Sequence, residues 1–345
     1  FPYKGKGELV TYCEAYSRAL NGFIVSREQN YQLELRSGIC CVEDSDASDI
    51  NSLLDRANMA LKTIKVKGAA QWKFYDHTMR DKLLREKDLE IRMEKALADG
   101  EFLVYIQPKY WVGTRALAGG EALVRWKSPD QGFLSPGEFI PLFEKNRFIV
   151  KLDQFMFTSV CGLLRQWLDA GIEPRPLSVN VSRMQFHTPD FVERYIRIKS
   201  QYAIPDGLLE LEFTESIFFD NVALLSSAVH ELRRAGIKCS IDDFGAGYSS
   251  LNVLKALPVS VLKLDGMFFR TAKDDEQAKI VIRNIMRMAG ELKMATVAEG
   301  VETHEQVAFL ETTGCDIIQG YVFARPMPAA EFTELLAGEG GHAER

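Results

Sequence analysis

Two adjacent aspartates, Asp242 and Asp243, end the apolar run "GIKCSI" and are followed by Gly245 and Gly247. Neighbouring carboxylates repel, so the pair needs compensation. Other polar residues recur near the ends of short apolar runs: Glu121, Asn180, Glu212, Lys263, Glu299, Glu302 and Gln319. A single acid at such a place commonly caps the next helix. A series at almost every run is not explained that way. Six carboxylates gathered at one place would require cations, because an unpaired buried charge is costly. Oxygen donors with one amide, and no His or Cys at these positions, favour two Mg²⁺ or Mn²⁺ ions over zinc. Two ions sharing a carboxylate would clamp the attacking and leaving oxygens of a phosphodiester. Asp242 and Asp243 suit that arrangement, one bridging and the other binding a single ion. Lys263 could hold or polarise the attacking water, or it could neutralise the same acids, and the two roles are compatible.

The other motifs carry less. Gly245 and Gly247 allow a close backbone approach, a mobile loop or a simple turn. Arg125, four residues after Glu121, could grip a phosphate as a guanidinium fork or pair with an acid. None of the five histidines falls in the acidic set. No Walker-type phosphate loop occurs, and "GAG" at 245–247 is not one.

To meet, these residues need elements that bring distant strand ends together. Short apolar strands are predicted at "FLVYIQ", "LAGGEALVRW", "PLSVNVS", "LLELEFTE", "IKCSIDDF", "SVLKLD", "MATVAEGVE" and "CDIIQGY". Helical patterns over 152–169, 190–202, 221–235, 275–292 and 303–313 lie between most of them. The pattern predicts an α/β fold, a (β/α)₈ TIM-like barrel whose C-terminal strand ends converge on one mouth. Only "KYWVGTRA" joins the first two strands, too short for a helical crossover, so that pair should be antiparallel. A doubly wound open sheet is the alternative, but it lacks the Gly-rich turn after its first strand.

The barrel is expected over 101–335, with a tail at 336–345. Before it, the charged stretch 81–100 reads as a linker helix, with Leu89, Met93 and Leu97 at helical spacing and Gly100 at its end. Residues 1–80 read as a small α+β region, with a strand within 31–43 and a helix within 46–68 capped by Asp49.

Among 345 residues, 46% are hydrophobic and 26% charged, ordinary values for a globular protein. A net charge of −6 gives no basic field for a DNA or RNA polymer. The six cysteines are scattered without metal-type spacing, as in a reduced, cytoplasmic protein. No apolar run approaches the ~18 residues needed to span a bilayer, so no membrane contact is expected from this stretch. The chain begins at Phe1, and a longer parent could be membrane-tethered through other segments.

"EALVR" at 121–125, "SPGEFIPLFE" at 135–144, "DDFGAGYSSL" at 242–251, "VAEGVET" at 297–303 and "QGYVFARPMP" at 319–328 together resemble the EAL-domain family. The resemblance covers roughly residues 85–335. It implies a metal-dependent phosphodiesterase that opens cyclic di-GMP to linear pGpG, with a non-catalytic cyclic di-GMP receptor as the rival. Carried over, Glu121, Asn180, Glu212, Asp242, Asp243 and Glu299 match the family's ligands for two Mg²⁺ or Mn²⁺ ions. Lys263 matches its catalytic lysine, Glu302 and Gln319 match supporting positions, and Glu215 matches the anchor of the loop after Asp243. Gln107 and Arg125 fall at positions that contact the dinucleotide, with Arg325 and Pro326 near a guanine in some members. Ala246 stands where Thr is frequent. The family also implies a homodimer through the EAL domain. Residues 1–80 resemble the C-terminal part of a GGDEF domain through "LLDRANMALKTIKVKG". No GG[DE]EF string occurs, so the region reads as a degenerate or truncated partner domain.

Overall fold

The structure is a computed structural model that describes residues 5–25, 36–42, 49–64, 72–214, 217, 222–245, 258–271 and 275–340. The chain divides into two units, Phe1–Ile91 and Arg92–Arg345. In the first, the short strands β1 (Ser37–Ile39) and β2 (Trp72–Phe74) pair in parallel, and the helix Ile50–Lys62 lies between them in sequence. Asp49 caps that helix by accepting a hydrogen bond from the Asn51 amide at 3.2 Å. A further helix spans Lys6–Val25. Of the strand expected within 31–43, residues 31–35 and 43 lie outside the described residues.

The helix His77–Ala98 crosses the boundary between the units and is followed by Gly100, whose φ of +75° suits the turn past a helix end. The second unit then contains β3 (Phe102–Trp111), β4 (Leu117–Ser128), β5 (Gly132–Leu134), β6 (Leu177–Asn180), β7 (Leu209–Thr214), β8 (Lys238–Phe244), β9 (Val261–Leu264), β10 (Ala295–Ala298), β11 (Ile317–Gln319) and β12 (Met327–Pro328). From β4 through β6, β7, β8, β9 and β10 to β11 every neighbour pairs in parallel. β3 lies antiparallel to both β4 and β11 and closes the barrel. The open sheet is thereby excluded, and the antiparallel first pair is present as expected. β5 and β12 extend β4 and β3 beyond the ring.

The expected helices appear as Ile149–Asp169, Phe191–Gln201, Val222–Arg234, Glu276–Glu291 and His304–Glu311. The sequence reading left Pro136–Lys145 without a helix, although Ser135 and Glu138 form a capping box at its start. The last helix, Ala329–Gly340, runs through position 335, and Leu336 on it is buried. Among the described residues, no helix is long and apolar enough to cross a membrane. The six cysteines are free. Burial pushes the thiols of Cys161 and Cys315 up to about 12, so both are unreactive.

Period-two alternation separates two faces along each strand. Leu209, Leu211 and Phe213 of β7, Cys239 and Ile241 of β8, and Leu262 and Leu264 of β9 join the core shared with helix residues such as Phe157, Leu164 and Trp167. The alternate set, Glu210, Glu212, Ser240, Asp242 and Lys263, is buried as well. TIM barrels ordinarily fill their interior with branched apolar side chains. Here the apolar core lies between strands and helices, and the barrel lumen is polar.

Gly320, directly after Gln319, has no room for a side chain: a Cβ there would lie 2.0 Å from the Val301 carbonyl oxygen. Gly320→Ala should therefore lower the melting temperature, by an amount matching about 1–3 kcal/mol of overpacking. Gly290→Ala, in open space on the helix Glu276–Glu291, should raise it slightly. Thermal melts of the two variants check both signs.

Candidate active site

Lys263 on β9 is fully buried, and four carboxylates from four other barrel segments surround it. Its Nζ lies 2.5 Å from Glu212 Oε2, 2.6 Å from Glu299 Oε1, 3.0 Å from Asp242 Oδ1 and 3.5 Å from Glu121 Oε2. Glu121 also accepts from Gln319 Nε2 at 2.6 Å and from Asn180 Nδ2 at 2.7 Å. Gln319 in turn reaches Gln107 Oε1 at 3.2 Å. Glu121 sits in the middle of β4, not at its end, because β4 continues past the barrel to pair with β5.

Strand register sets these meetings. Gln107 stands opposite Glu121 across β3 and β4, and Asn180 stands beside Glu212 across β6 and β7. A regular strand would send Asp242 and Asp243 to opposite faces. Here the β8–β9 register shifts between Ile241 and Phe244, and Asp243 takes a φ of +54°. Aspartate tolerates that left-handed conformation better than most residues. The irregularity re-aims the side chain, as bulges do. Carboxylate oxygens of Asp242, Asp243 and Glu299 consequently lie within 4.8 Å of one another.

The electrostatics follow from one ammonium among many acids. Burial opposes the charge of Lys263, yet Asp242, Glu121, Glu212 and Glu299 outweigh it and hold the ammonium well above its usual range. Burial, reinforced by the charge of Glu212, raises the carboxyl of Glu121. Burial also lifts Glu299 well above the carboxylate range, against the pull of Lys263. Asp243 rises to about 6 through desolvation and then the charges of Asp242 and Asp265. Glu212 is the exception: Lys109 and Lys263 overcome its burial and hold it below the usual range. Asp242 Oδ1 is buried without an aligned hydrogen-bond donor, although Lys263 Nζ lies 3.0 Å away. An orphaned carboxylate oxygen, neighbouring acids driven toward protonation, and an all-oxygen donor set fit a site for hard divalent cations.

A cavity of about 600 Å³ adjoins this centre, with Arg125, Asp153, Asn180, Ser182 and Asp243 among its lining residues. The Arg125 guanidinium lies 5.6 Å from the Tyr105 ring, and Nη1 donates to the Val124 carbonyl. Gln107 Nε2 reaches the Ala324 carbonyl at 3.4 Å, next to Arg325 and Pro326. Arg325 itself is exposed and stacks over Tyr321 at 4.5 Å. The structure does not bring Glu302 into the set around Lys263. It is exposed, and its amide donates to Gln306 Oε1 at 2.8 Å, in the capping box of the next helix. Glu215 and the loop from Ala246 lie outside the described residues.

The sequence reading passed over Lys109. This buried lysine of β3 donates to Glu212 Oε1 at 2.9 Å and to Ser178 Oγ at 2.7 Å. Its one signal was a lysine inside the largely apolar strand "FLVYIQPKYW".

The EAL domain profile matches residues 91–326. The cyclic di-GMP phosphodiesterase NbdA of Pseudomonas aeruginosa is 34% identical over 292 residues, 85% of this chain and 37% of NbdA. The cyclic di-GMP phosphodiesterase PdeR of Escherichia coli K12 is 32% identical over 287 residues, 83% of this chain and 43% of PdeR. The chain thus spans less than half the length of these curated relatives. In three dimensions it is similar to the PaMucR phosphodiesterase solved as a c-di-GMP complex, with a TM-score of 0.67 and 35% identity, covering 71% of this chain and 99% of that one.

Asp153, also missed by sequence, ties down the segment that follows Asn180. Its buried carboxylate accepts from the Ser182 amide at 3.0 Å and Gln185 Nε2 at 3.2 Å, while Ser182 Oγ donates to Glu144 at 3.1 Å. Burial lifts Asp153 from 3.8 to about 7, against those hydrogen bonds. A carboxyl raised in the folded state binds more protons there than in the unfolded chain. Its stabilisation is complete below the unfolded value of 3.8 and is lost as pH rises through about 7. The melting temperature of the metal-free protein should fall between pH 5 and pH 8, and Asp153→Asn should reduce that fall. Paired melts at the two pH values separate Asp153 from the acids common to both proteins.

Proposed function

The chain belongs to the EAL-domain family, and from that premise we propose that it hydrolyses cyclic di-GMP to linear pGpG in a reaction dependent on divalent cations. The observation that carries this reading is the convergence of four carboxylates on the buried Lys263, with Asp243 turned toward the same group. Glu121, Asn180, Glu212, Asp242, Asp243 and Glu299 would hold two Mg²⁺ or Mn²⁺ ions. Bound, such ions neutralise the acids, polarise a scissile phosphate and make a water more acidic.

The remaining steps belong to the side chains. Lys263 keeps the acids together and would orient the attacking water toward the phosphorus. Gln319 fixes Glu121 by a 2.6 Å hydrogen bond and passes that order to Gln107. Arg125, beside the cavity, would take a phosphate oxygen, and Gln107, Arg325 and Pro326 would face the nucleotide. Glu215 is proposed as the anchor of the loop after Asp243. Glu302 is left a supporting role from the rim.

Two finer readings accompany this one. The homodimer through the barrel unit is proposed on family grounds, and light scattering of the purified chain tests it. The first unit is proposed to be the C-terminal remnant of a GGDEF-like domain without cyclase activity, a reading supported by its β–α–β arrangement. Formation of cyclic di-GMP from GTP would count against it.

Incubation of the chain with cyclic di-GMP should yield pGpG with Mg²⁺ or Mn²⁺ and none after chelation, read by chromatography. Binding without turnover under both ions would make the chain a receptor instead. Glu121→Ala and Asp242→Ala should each cut turnover at least about a hundredfold, the scale of losing several kcal/mol of charge stabilisation. Circular dichroism should show both folded, since each removes one of several mutually repelling acids.

A further inference from the structure

Resting on the divalent-cation reading of the barrel mouth, we infer that Lys109 is a positioning residue that presets Glu212 as a one-oxygen ligand. Two lysines divide this carboxylate between them. Lys263 Nζ takes Oε2 at 2.5 Å, and Lys109 Nζ takes Oε1 at 2.9 Å. Ser178 Oγ, 2.7 Å from Lys109 Nζ, fixes the ammonium from a third side. Glu212 is only 1% exposed, so neither oxygen has water to fall back on. Lys109 thereby fixes Oε1 and the plane of the carboxylate, and Oε2 is the oxygen on the side of Lys263 and the other acids. Ligating carboxylates are commonly held in this way by a second partner.

A bland alternative is that Lys109 merely fills the lumen. A buried ion pair is seldom more stabilising than apolar side chains of similar volume, which fill most barrel interiors. A charge at this position is therefore a poor filler. It also alters the balance of the centre. Glu121, Glu212, Asp242, Asp243 and Glu299 bring five negative charges when ionised, and Lys263 and Lys109 bring two positive ones. Two divalent cations then leave one net positive charge, matched to a single phosphodiester anion. Without Lys109 the loaded centre would be neutral.

Calorimetric titration of Mn²⁺ into the metal-stripped full chain tests the assignment. Lys109→Met keeps the bulk and removes the charge. It should weaken Mn²⁺ binding about 10- to 100-fold, lower kcat and raise KM for cyclic di-GMP, since the loaded centre loses the positive charge that meets the phosphodiester. Ser178→Ala keeps both charges and removes only the hydroxyl, so it should weaken Mn²⁺ about two- to fivefold. A filler role would lower the melting temperature of Lys109→Met and leave its Mn²⁺ affinity unchanged. A purely repelling charge would give tighter Mn²⁺ binding in that variant. Either result overturns the inference. Should Lys109→Met not fold, wild-type affinity in Ser178→Ala overturns it equally. A wild-type chain that binds no Mn²⁺ overturns the cation reading and this inference together, whereas normal wild-type binding with unchanged variants overturns this inference alone.

Discussion

A single buried ammonium organises this molecule. Lys263 has no exposure to solvent and meets carboxylates of Glu121, Glu212, Asp242 and Glu299 within 3.5 Å. Four acids cannot be held this close in a low-dielectric lumen without a counter-charge, and Lys263 with Lys109 does not balance them and Asp243. The site is therefore under electrostatic stress that added cations relieve. That shortage of positive charge is what an all-oxygen set of this kind offers to hard divalent cations.

The barrel makes the stress sustainable. Alternate residues of each strand carry the apolar core outward to the helices, so the polar lumen does not have to supply the hydrophobic stabilisation. Helix residues such as Phe157, Leu164 and Trp167 belong to the same apolar core as Leu209, Leu211 and Phe213. The antiparallel strand β3 adds something a uniform barrel lacks. It places Gln107 and Lys109, two residues apart on one face, against Gln319 and Glu212 respectively.

Much of this was legible in the residue order. Strand and helix alternation and the short hairpin at the start of the barrel were expected, and the described residues have them; in the structure Glu121, Glu212, Asp242 and Glu299 meet Lys263, while Asn180 and Gln319 bond Glu121. Lys109 and Asp153 were not seen, since a lysine in a strand and an aspartate in a helix look like ordinary surface residues until their burial is known. Glu302, expected as a supporting position beside the ligand position Glu299, lies exposed on the rim. Three residues of backbone separate the two, and spacing alone does not reveal that the second is exposed.

The sequence by itself determined the chemistry on offer: acids, two amides and a lysine, with no histidine or cysteine among them, a set that favours hard cations. It also determined the strand–helix alternation that favours a barrel. Tertiary structure decided which of those groups meet. Gln319 and Glu121 are 198 positions apart and share a 2.6 Å hydrogen bond only because the ring closes through β3. Asp242 and Asp243 are adjacent in the chain, yet a regular strand would have parted them. The left-handed turn at Asp243 brings them to one centre, because backbone conformation, not proximity in sequence, directs a side chain.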